Sequence, residues 1–175
     1  MKKESFIYST LTIGGSKEQV NEVMKYICDD IYDIGSIDLN KICAVPVHLN
    51  IGPDDEVSCG EKLYRHYLDL VPYPTEEEEE NFLAVLSRAD QRRFLLGKMA
   101  VLNRKEYGYP TYTGWCTEHW GTDENVISFE ECNENSIAFL THSAPASEAI
   151  HTLSILFPKV KPVSYTHLTL PTICS

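Results

Sequence analysis

The sequence predicts an α+β domain in which two helices cover one face of an antiparallel sheet. Three observations support this class. A strand pattern at residues 6–13 leads into an amphipathic helix, two strand patterns at residues 126–131 and 136–142 are joined by a short turn, and a last amphipathic helix follows them. A length of 175 residues suits one domain and leaves little room for two.

The first part of the chain is predicted to be a strand, a tight turn and a helix. Ile7, Leu11 and Ile13 share one face of the strand, and two glycines follow as the turn. Ser16 and Gln19 have the spacing of a capping box at a helix start. The helix then carries one apolar stripe, which consists of Val20, Val23, Met24, Ile27 and Ile31.

A short second strand is predicted next, followed by a loop and a helical insert. Ile37, Leu39 and Ile42 indicate the strand, and Pro46 ends it. Residues 48–60 have the composition of a loop, and the insert is predicted to occupy about residues 59–107.

The insert is predicted to contain several helices. The first covers residues 61–70, and Thr75 with Glu78 caps the second. The glutamates 76–80 fill the first turns of that second helix, where the helix dipole favours anions. They are interpreted as a solvated helix start, with a functional acidic patch as the alternative. After a break near residues 87–90, the last helix carries an inner stripe and stops at Gly108; the stripe consists of Leu95, Met99 and Leu102.

The remaining elements complete the predicted architecture. A short helix at residues 113–120 ends at Gly121, the two strands and their turn follow, and Pro145 opens the final helix. Without the insert, the order is β-α-β-β-α. One further strand after Lys159 would complete the ferredoxin-like β-α-β-β-α-β pattern, with the insert after the second strand and the last native strand truncated.

The last thirteen residues are predicted not to be native. Residues 163–175 carry no charged side chain, although charged residues make up 23% of the whole chain. Residues 163–172 can be encoded as GTC TCT TAT ACA CAT CTG ACG CTG CCG ACG, which resembles a transposon-end sequencing adapter read in frame. The alternative is a real polar tail. The native domain is therefore expected to cover residues 1–162.

Composition and charge exclude several function classes. The formal net charge is −11, from 15 Lys and Arg against 26 Asp and Glu, which argues against direct nucleic-acid binding. No apolar run reaches the roughly 18 residues of a membrane-spanning helix, and the N-terminus lacks a signal-peptide core. We therefore expect a cytoplasmic protein that contacts no membrane; its oligomeric state is left open.

No motif predicts a metal, a cofactor or a catalytic centre. Five cysteines precede residue 163 at wide spacings without CxxC, which favours reduced thiols. Cys116-x-x-His119 is half of a zinc motif, but no second half has matching spacing. P-loop, dinucleotide and nucleophile-elbow patterns are absent from the sequence.

One run of residues is distinctive. Residues 107–122 spell YGYPTYTGWCTEHWGT, residues 143–145 spell SAP, and residues 37–46 spell IDLNKICAVP. These motifs resemble, in the same order, those of the YubB-type ferredoxin-like family of phages, plasmids and mobile elements. The resemblance implies the fold. It implies no activity, because the family has no assigned activity. This chain departs from the family pattern at Tyr112, Gly114, Glu124 and His142, and three of these four departures remove aromatic surface.

The candidate binding residues come from the same run: Tyr107, Tyr109, Trp115, His119, Trp120 and Asp123. Core packing is the competing interpretation of the tryptophans. Because Trp115 and Trp120 lie five positions apart on a helix, we expect Trp115 to be buried and Trp120 to be the more exposed.

Three functions are compatible with these residues. The first is a mobile-element accessory protein that binds a protein partner, without catalysis, through its acidic helical insert. The second is an acidic DNA-mimic inhibitor of a host nucleic-acid enzyme. The third is a small enzyme in which His119 and Asp123 act as an acid/base pair.

Overall fold

The computed structural model describes residues 5–168, apart from the side chains of Glu131, His167 and Leu168. The chain divides into two compact units, each described by itself below. Unit 1 combines residues 5–45 with residues 115–168, and unit 2 is Pro46–Gly114.

Unit 1 contains the sheet and its helices. Its elements are β1 (Phe6–Gly14), α1 (Lys17–Ile27), α2 (Leu39–Ile42), β2 (Ser128–Asn133), β3 (Ser136–His142), α7 (Ser147–Leu156) and β4 (Lys161–Leu168). Unit 2 contains a single 3-10 turn (Val47–Leu49) and the helices α3 (Asp54–Leu70), α4 (Glu76–Val85) and α5 (Arg88–Tyr107). Helix α6 (Tyr112–Trp120) crosses the sequence boundary between the units.

The sheet is antiparallel with the strand order β2-β3-β1-β4, so the class is α+β as predicted. Strand β1 is central and pairs with β3 from Phe6–His142 to Thr12–Ser136. Its alternate residues are buried, as the period of a strand requires; they are Ile7, Ser9, Leu11 and Ile13. The predicted apolar face of β1 is therefore confirmed.

Helix α1 begins as its sequence predicts. The Ser16 hydroxyl accepts from the Gln19 backbone N–H, and the Gln19 side chain accepts from the Ser16 N–H. Val20, Val23, Met24 and Ile27 are buried, but the helix ends before Ile31, which is 83% exposed. The apolar stripe of α1 therefore ends at Ile27, and the prediction that Ile31 belongs to it is wrong.

The predicted strand at residues 37–42 is wrong. Asp38 caps a short helix there by accepting from the Asn40 N–H, and Leu39 and Ile42 are buried three positions apart on its inner side. The second strand of the sheet is instead β2, so the helical insert precedes it rather than following it.

Helix α3 of unit 2 begins earlier than predicted, at Asp54, within the segment expected to be a loop. Its first turn contains Asp54, Asp55 and Glu56, which the helix dipole stabilises. Helix α4 begins at the predicted Thr75–Glu78 capping box, and α5 ends at Gly108 with a φ of 84°. Those two boundaries are confirmed.

The core of unit 2 is aromatic and closely packed. Tyr64 and Tyr67 of α3 contact Phe94 of α5 edge-on, and Phe82 of α4 lies 4.5 Å from the Tyr67 ring. Helices α3 and α5 approach most closely at two glycines: a Cβ on Gly97 would lie 2.0 Å from the Gly60 carbonyl oxygen. Both glycines are therefore needed for this crossing.

Residues 163–168, predicted to be adapter-derived, form most of β4 and pair with β1 from Thr12–Val163 to Ile7–Leu168. Strands pair through backbone N–H and C=O groups, and every residue other than proline carries both. Val163 and Tyr165 are exposed, so the pairing depends little on which side chains are present. The origin of residues 163–175 stays a prediction, and residues 169–175 lie outside the described part. Between residues 5 and 168, no helix is long and apolar enough to cross a membrane.

Candidate functional site

The predicted site residues fall into both units. Tyr107 and Tyr109 belong to unit 2, whereas Trp115, His119, Trp120 and Asp123 belong to unit 1. In unit 2, the Tyr107 hydroxyl lies 3.3 Å from Nδ1 of His48, and the two rings are stacked. The Asn103 side chain donates hydrogen bonds to the carbonyl oxygens of His48 and Pro110, and so joins the segments before α3 and after α5. Tyr107 therefore anchors the end of α5 within its own unit.

Trp115 and Trp120 are both buried. Trp115 is 7% exposed and Trp120 is 0% exposed, so the prediction that Trp120 is the more exposed is wrong. The Trp120 indole donates from Nε1 to the Cys43 carbonyl oxygen over 2.8 Å. A buried indole N–H needs such an acceptor, and the residue that follows α2 provides it. The burial of Trp115 is confirmed.

His119 lies against Trp115 on the same helix. The rings stack with centroids 4.1 Å apart, and Nδ1 of His119 donates to the Trp115 carbonyl oxygen over 3.0 Å. The indole of Trp120 meets the indole of Trp115 edge-on. Since both indoles are buried, this cluster offers a partner little tryptophan surface.

Asp123 pairs with a histidine other than the predicted one. Its two carboxylate oxygens lie 3.0 and 3.1 Å from Nδ1 of His142, and Thr122 donates to the His142 carbonyl. The predicted acid/base pair joined Asp123 to His119 instead. A histidine ring nitrogen held by a carboxylate is an arrangement also found in acid/base pairs. No sequence pattern indicated this pair, because the position of strand β3 brings His142 to Asp123.

Helix α6 ends before Gly121, as predicted. Its φ is 87°, and a Cβ there would lie 2.9 Å from the Pro145 carbonyl oxygen. Cys116 is buried, and Cys28, Cys43, Cys59 and Cys132 carry free thiols. Over residues 5–168, no group of three or more His, Cys, Asp or Glu side chains is placed to hold a metal ion.

A groove of about 800 Å³ lies in unit 1 between α1 and the β2–β3 turn. Val20, Met24 and Ile34 contribute apolar lining, and Lys17 and Glu134 form an exposed ion pair at 3.5 Å. Glu18 also lines the groove, so the groove carries one more acidic than basic side chain.

A row of exposed apolar side chains lies in unit 2, where Leu95, Met99 and Leu102 are 48%, 44% and 54% exposed. These residues were predicted to form the inner stripe, and that prediction is wrong. The buried side of α5 instead consists of Phe94, Leu96, Gly97, Ala100 and Asn103. We call the three exposed residues the α5 stripe; at about 100° per residue they lie within about 60° of one another.

Acidic helix starts border the α5 stripe on both sides. Arg92 and Lys98 lie three residues before and after Leu95, so they project about 60° to either side of it. Arg92 pairs with Glu56 in the first turn of α3 at 3.2 Å. Lys98 pairs with Glu79 in the first turn of α4. These ion pairs place Glu56 on one flank of the stripe and Glu79 on the other.

Many carboxylates of those turns point to solvent. Asp54 and Asp55 of α3 and Glu76, Glu77 and Glu80 of α4 are exposed. Glu79 is held more firmly, because the Tyr64 hydroxyl also donates to it over 3.2 Å. Burial, together with the neighbouring Glu79 carboxylate, raises the pKa of Tyr64 to about 12. We call the five exposed carboxylates the acidic border.

Comparisons of the chain with protein-family models, with curated proteins and with solved structures found no match. The resemblance to the YubB-type family therefore remains a prediction from the quoted motifs.

Proposed function

We propose that this protein is a protein-binding module without catalysis and that the α5 stripe in the helical insert is its contact surface. The observation that carries the proposal is the exposure of Leu95, Met99 and Leu102 on one side of a well-packed helix. Adjacent exposed apolar side chains rimmed by charged residues are typical of protein-interaction sites.

The insert also supports this role by its rigidity. The close crossing at Gly60 and Gly97 and the aromatic core fix α5 against α3. Glu61 adds hydrogen bonds from Arg104 and Arg65, which lower the pKa of its carboxyl group. A surface held in this way loses little conformational entropy when a partner binds.

For the whole chain we propose a ferredoxin-like topology and a YubB-type mobile-element accessory protein. The strand order β2-β3-β1-β4 with antiparallel neighbours supports the topology, as do helices after β1 and β3. The quoted motifs support the family.

The acidic border favours a second candidate function, a DNA-mimic inhibitor of a nucleic-acid enzyme. Glu76, Glu77 and Glu80 are exposed on one helix start, and the chain carries a net charge of −11. A complex of that kind would dissociate at high salt, because exposed charges are screened. Binding that persists at high salt would count against it.

The enzyme alternative has Asp123 paired with His142 in place of the predicted His119. A thermal-shift screen against a metabolite library tests it, since a ligand that binds the folded state raises the melting temperature. A screen without a hit would argue against this alternative.

Site-specific photo-crosslinking in host cells tests the main proposal. A photoreactive phenylalanine derivative placed at Leu95 is expected to give a discrete crosslinked protein. The same derivative at Ile155, a 65% exposed residue of α7, is the matched control and is expected to give none. The same crosslinked products at both positions, or none at Leu95, would overturn the proposal.

A further inference from the structure

We propose that the partner segment bound by the α5 stripe is a basic amphipathic helix. The inference rests on the proposed function and adds the chemistry of the partner. It comes from two features of unit 2, the helical spacing of the stripe and the sign of the charges along its flanks.

The shape of the stripe fits a helix. Leu95, Met99 and Leu102 follow the i, i+4, i+7 spacing and extend for about 10 Å along α5. Rows of side chains at this spacing interdigitate with the matching rows of a second helix. A partner helix lying along α5 would cover all three side chains and would need apolar residues at the same spacing.

The charges along the two flanks of the stripe determine which charge the partner segment should carry. The cations nearest to Leu95 are already used within unit 2, Arg92 by Glu56 and Lys98 by Glu79. The acidic border remains exposed: Asp54 and Asp55 share the first turn of α3 with Glu56, and Glu76, Glu77 and Glu80 share the first two turns of α4 with Glu79. Lys and Arg on both edges of a docked helix would meet this border.

A second copy of the chain fits this surface less well. A symmetric dimer through α5 would place one acidic border against another, and like charges across an interface oppose association. Arg88, Lys105 and Glu106 also lie on the exposed part of α5, but they do not reverse the acidic excess of the flanks. A separate basic helix is therefore the occupant to which we commit.

The probe is a helical peptide of about five turns, with leucines at the spacing of the stripe and Lys or Arg on both edges. Its control carries Glu at every Lys and Arg position. Binding to the full chain is measured by fluorescence anisotropy at low and at moderate salt. We expect the basic peptide to bind at least about tenfold more tightly than the acidic one, with affinity falling as salt rises.

Three protein variants locate the binding. The border variant is Asp54→Asn, Asp55→Asn, Glu76→Gln, Glu77→Gln and Glu80→Gln. Its control neutralises five exposed carboxylates of unit 1: Glu18→Gln, Glu22→Gln, Glu130→Gln, Glu134→Gln and Glu148→Gln. The stripe variant is Leu95→Gln, Met99→Gln and Leu102→Gln, which keeps good helix formers and adds no charge. Circular dichroism checks the fold of each, and the single variant Met99→Gln replaces the stripe variant if that one unfolds.

We expect the border and stripe variants to weaken peptide binding by about tenfold or more, and the unit 1 control by less than about twofold. Equal losses in the border variant and its control would mean that net charge alone acts, and would overturn the inference. Binding of the acidic peptide, or concentration-dependent dimerisation lost in the stripe variant, would overturn it as well. If crosslinking at Leu95 succeeds while the peptide fails, the protein-binding proposal stands and the basic-helix inference falls.

Discussion

Two helices of this protein differ in how they place their large apolar side chains. Helix α6 buries Trp115 and Trp120, and the indole N–H of Trp120 donates to a backbone carbonyl. Helix α5 buries Phe94 beside Gly97 but exposes Leu95 and Met99. The difference teaches that close approach of two backbones can determine which side of a helix is buried when both sides carry large apolar residues.

The largest expected effect in this comparison comes from Trp120. We expect Trp120→Ala to lower the free energy of unfolding by about 3–5 kcal/mol, because it leaves a cavity and removes the donor to Cys43. Urea unfolding followed by circular dichroism measures it. Trp120→Phe keeps the ring bulk without the N–H and should cost about 1–3 kcal/mol. A loss below about 1 kcal/mol for the alanine variant would show that α6 is not part of the core.

The close helix crossing provides the next test. Gly97→Ala is expected to destabilise unit 2 by about 1–3 kcal/mol or more, because its Cβ would meet the Gly60 carbonyl at 2.0 Å. Gly114→Ala is the matched control, since its Cβ would meet only the Tyr109 ring at an ordinary 3.4 Å. If both variants unfold at the same urea concentration as the parent, then glycine packing does not fix the buried side of α5.

A smaller effect is expected at Glu61, which joins α3 to the end of α5. Hydrogen bonds from Arg104, then from Arg65, lower the pKa of the Glu61 carboxyl group below its ordinary value. A lowered pKa stabilises the fold above the unfolded-state pKa, and this contribution disappears as the pH falls through the folded-state pKa. Glu61→Gln should therefore cost about 1 kcal/mol at pH 7 and less near pH 2. A loss of equal size at both pH values would contradict this assignment.

The smallest effect is expected for the α5 stripe itself. Leu95→Gln, Met99→Gln and Leu102→Gln together should change the free energy of unfolding by less than about 1 kcal/mol, because the three side chains are about half exposed. Their control is Ile31→Gln, Ile155→Gln and Leu156→Gln, which are exposed in unit 1. A loss of several kcal/mol in the stripe variant alone would make the stripe part of a core and remove the proposed contact surface.

Local chemistry made several elements predictable from sequence. The capping boxes at Ser16 and Thr75 and the left-handed glycines at Gly108 and Gly121 are found where their neighbours in sequence required them. Each depends on groups within a few residues, so nothing distant competes with it. The start of α2 was missed although Asp38 gave a local capping signal, because Ile37, Leu39 and Ile42 also suit a strand.

The candidate site was much less predictable. The distinctive run that contains Trp115 and Trp120 suggested a binding platform, but both side chains are buried. The partner of Asp123 is His142, which comes from a strand nineteen residues further along the chain. The stripe on α5 was recognised as apolar and assigned to the wrong side, since Phe94, Leu96 and Ala100 form a second apolar side on the same helix.

The sequence by itself determined the α+β class, strand β1, the capping boxes at Ser16 and Thr75, the glycine stops at Gly108 and Gly121, and the acidic charge, because these follow from residue spacing and composition. Only the tertiary structure decided which side of α5 faces solvent, which histidine pairs with Asp123 and where the helical insert enters the order of strands. Each of these depends on groups far apart in the chain: the backbone of Gly60 against Gly97, the register of β3, and the pairing of β2 with β3. Contacts between distant segments form only when the chain folds, so spacing along the sequence does not encode them one by one.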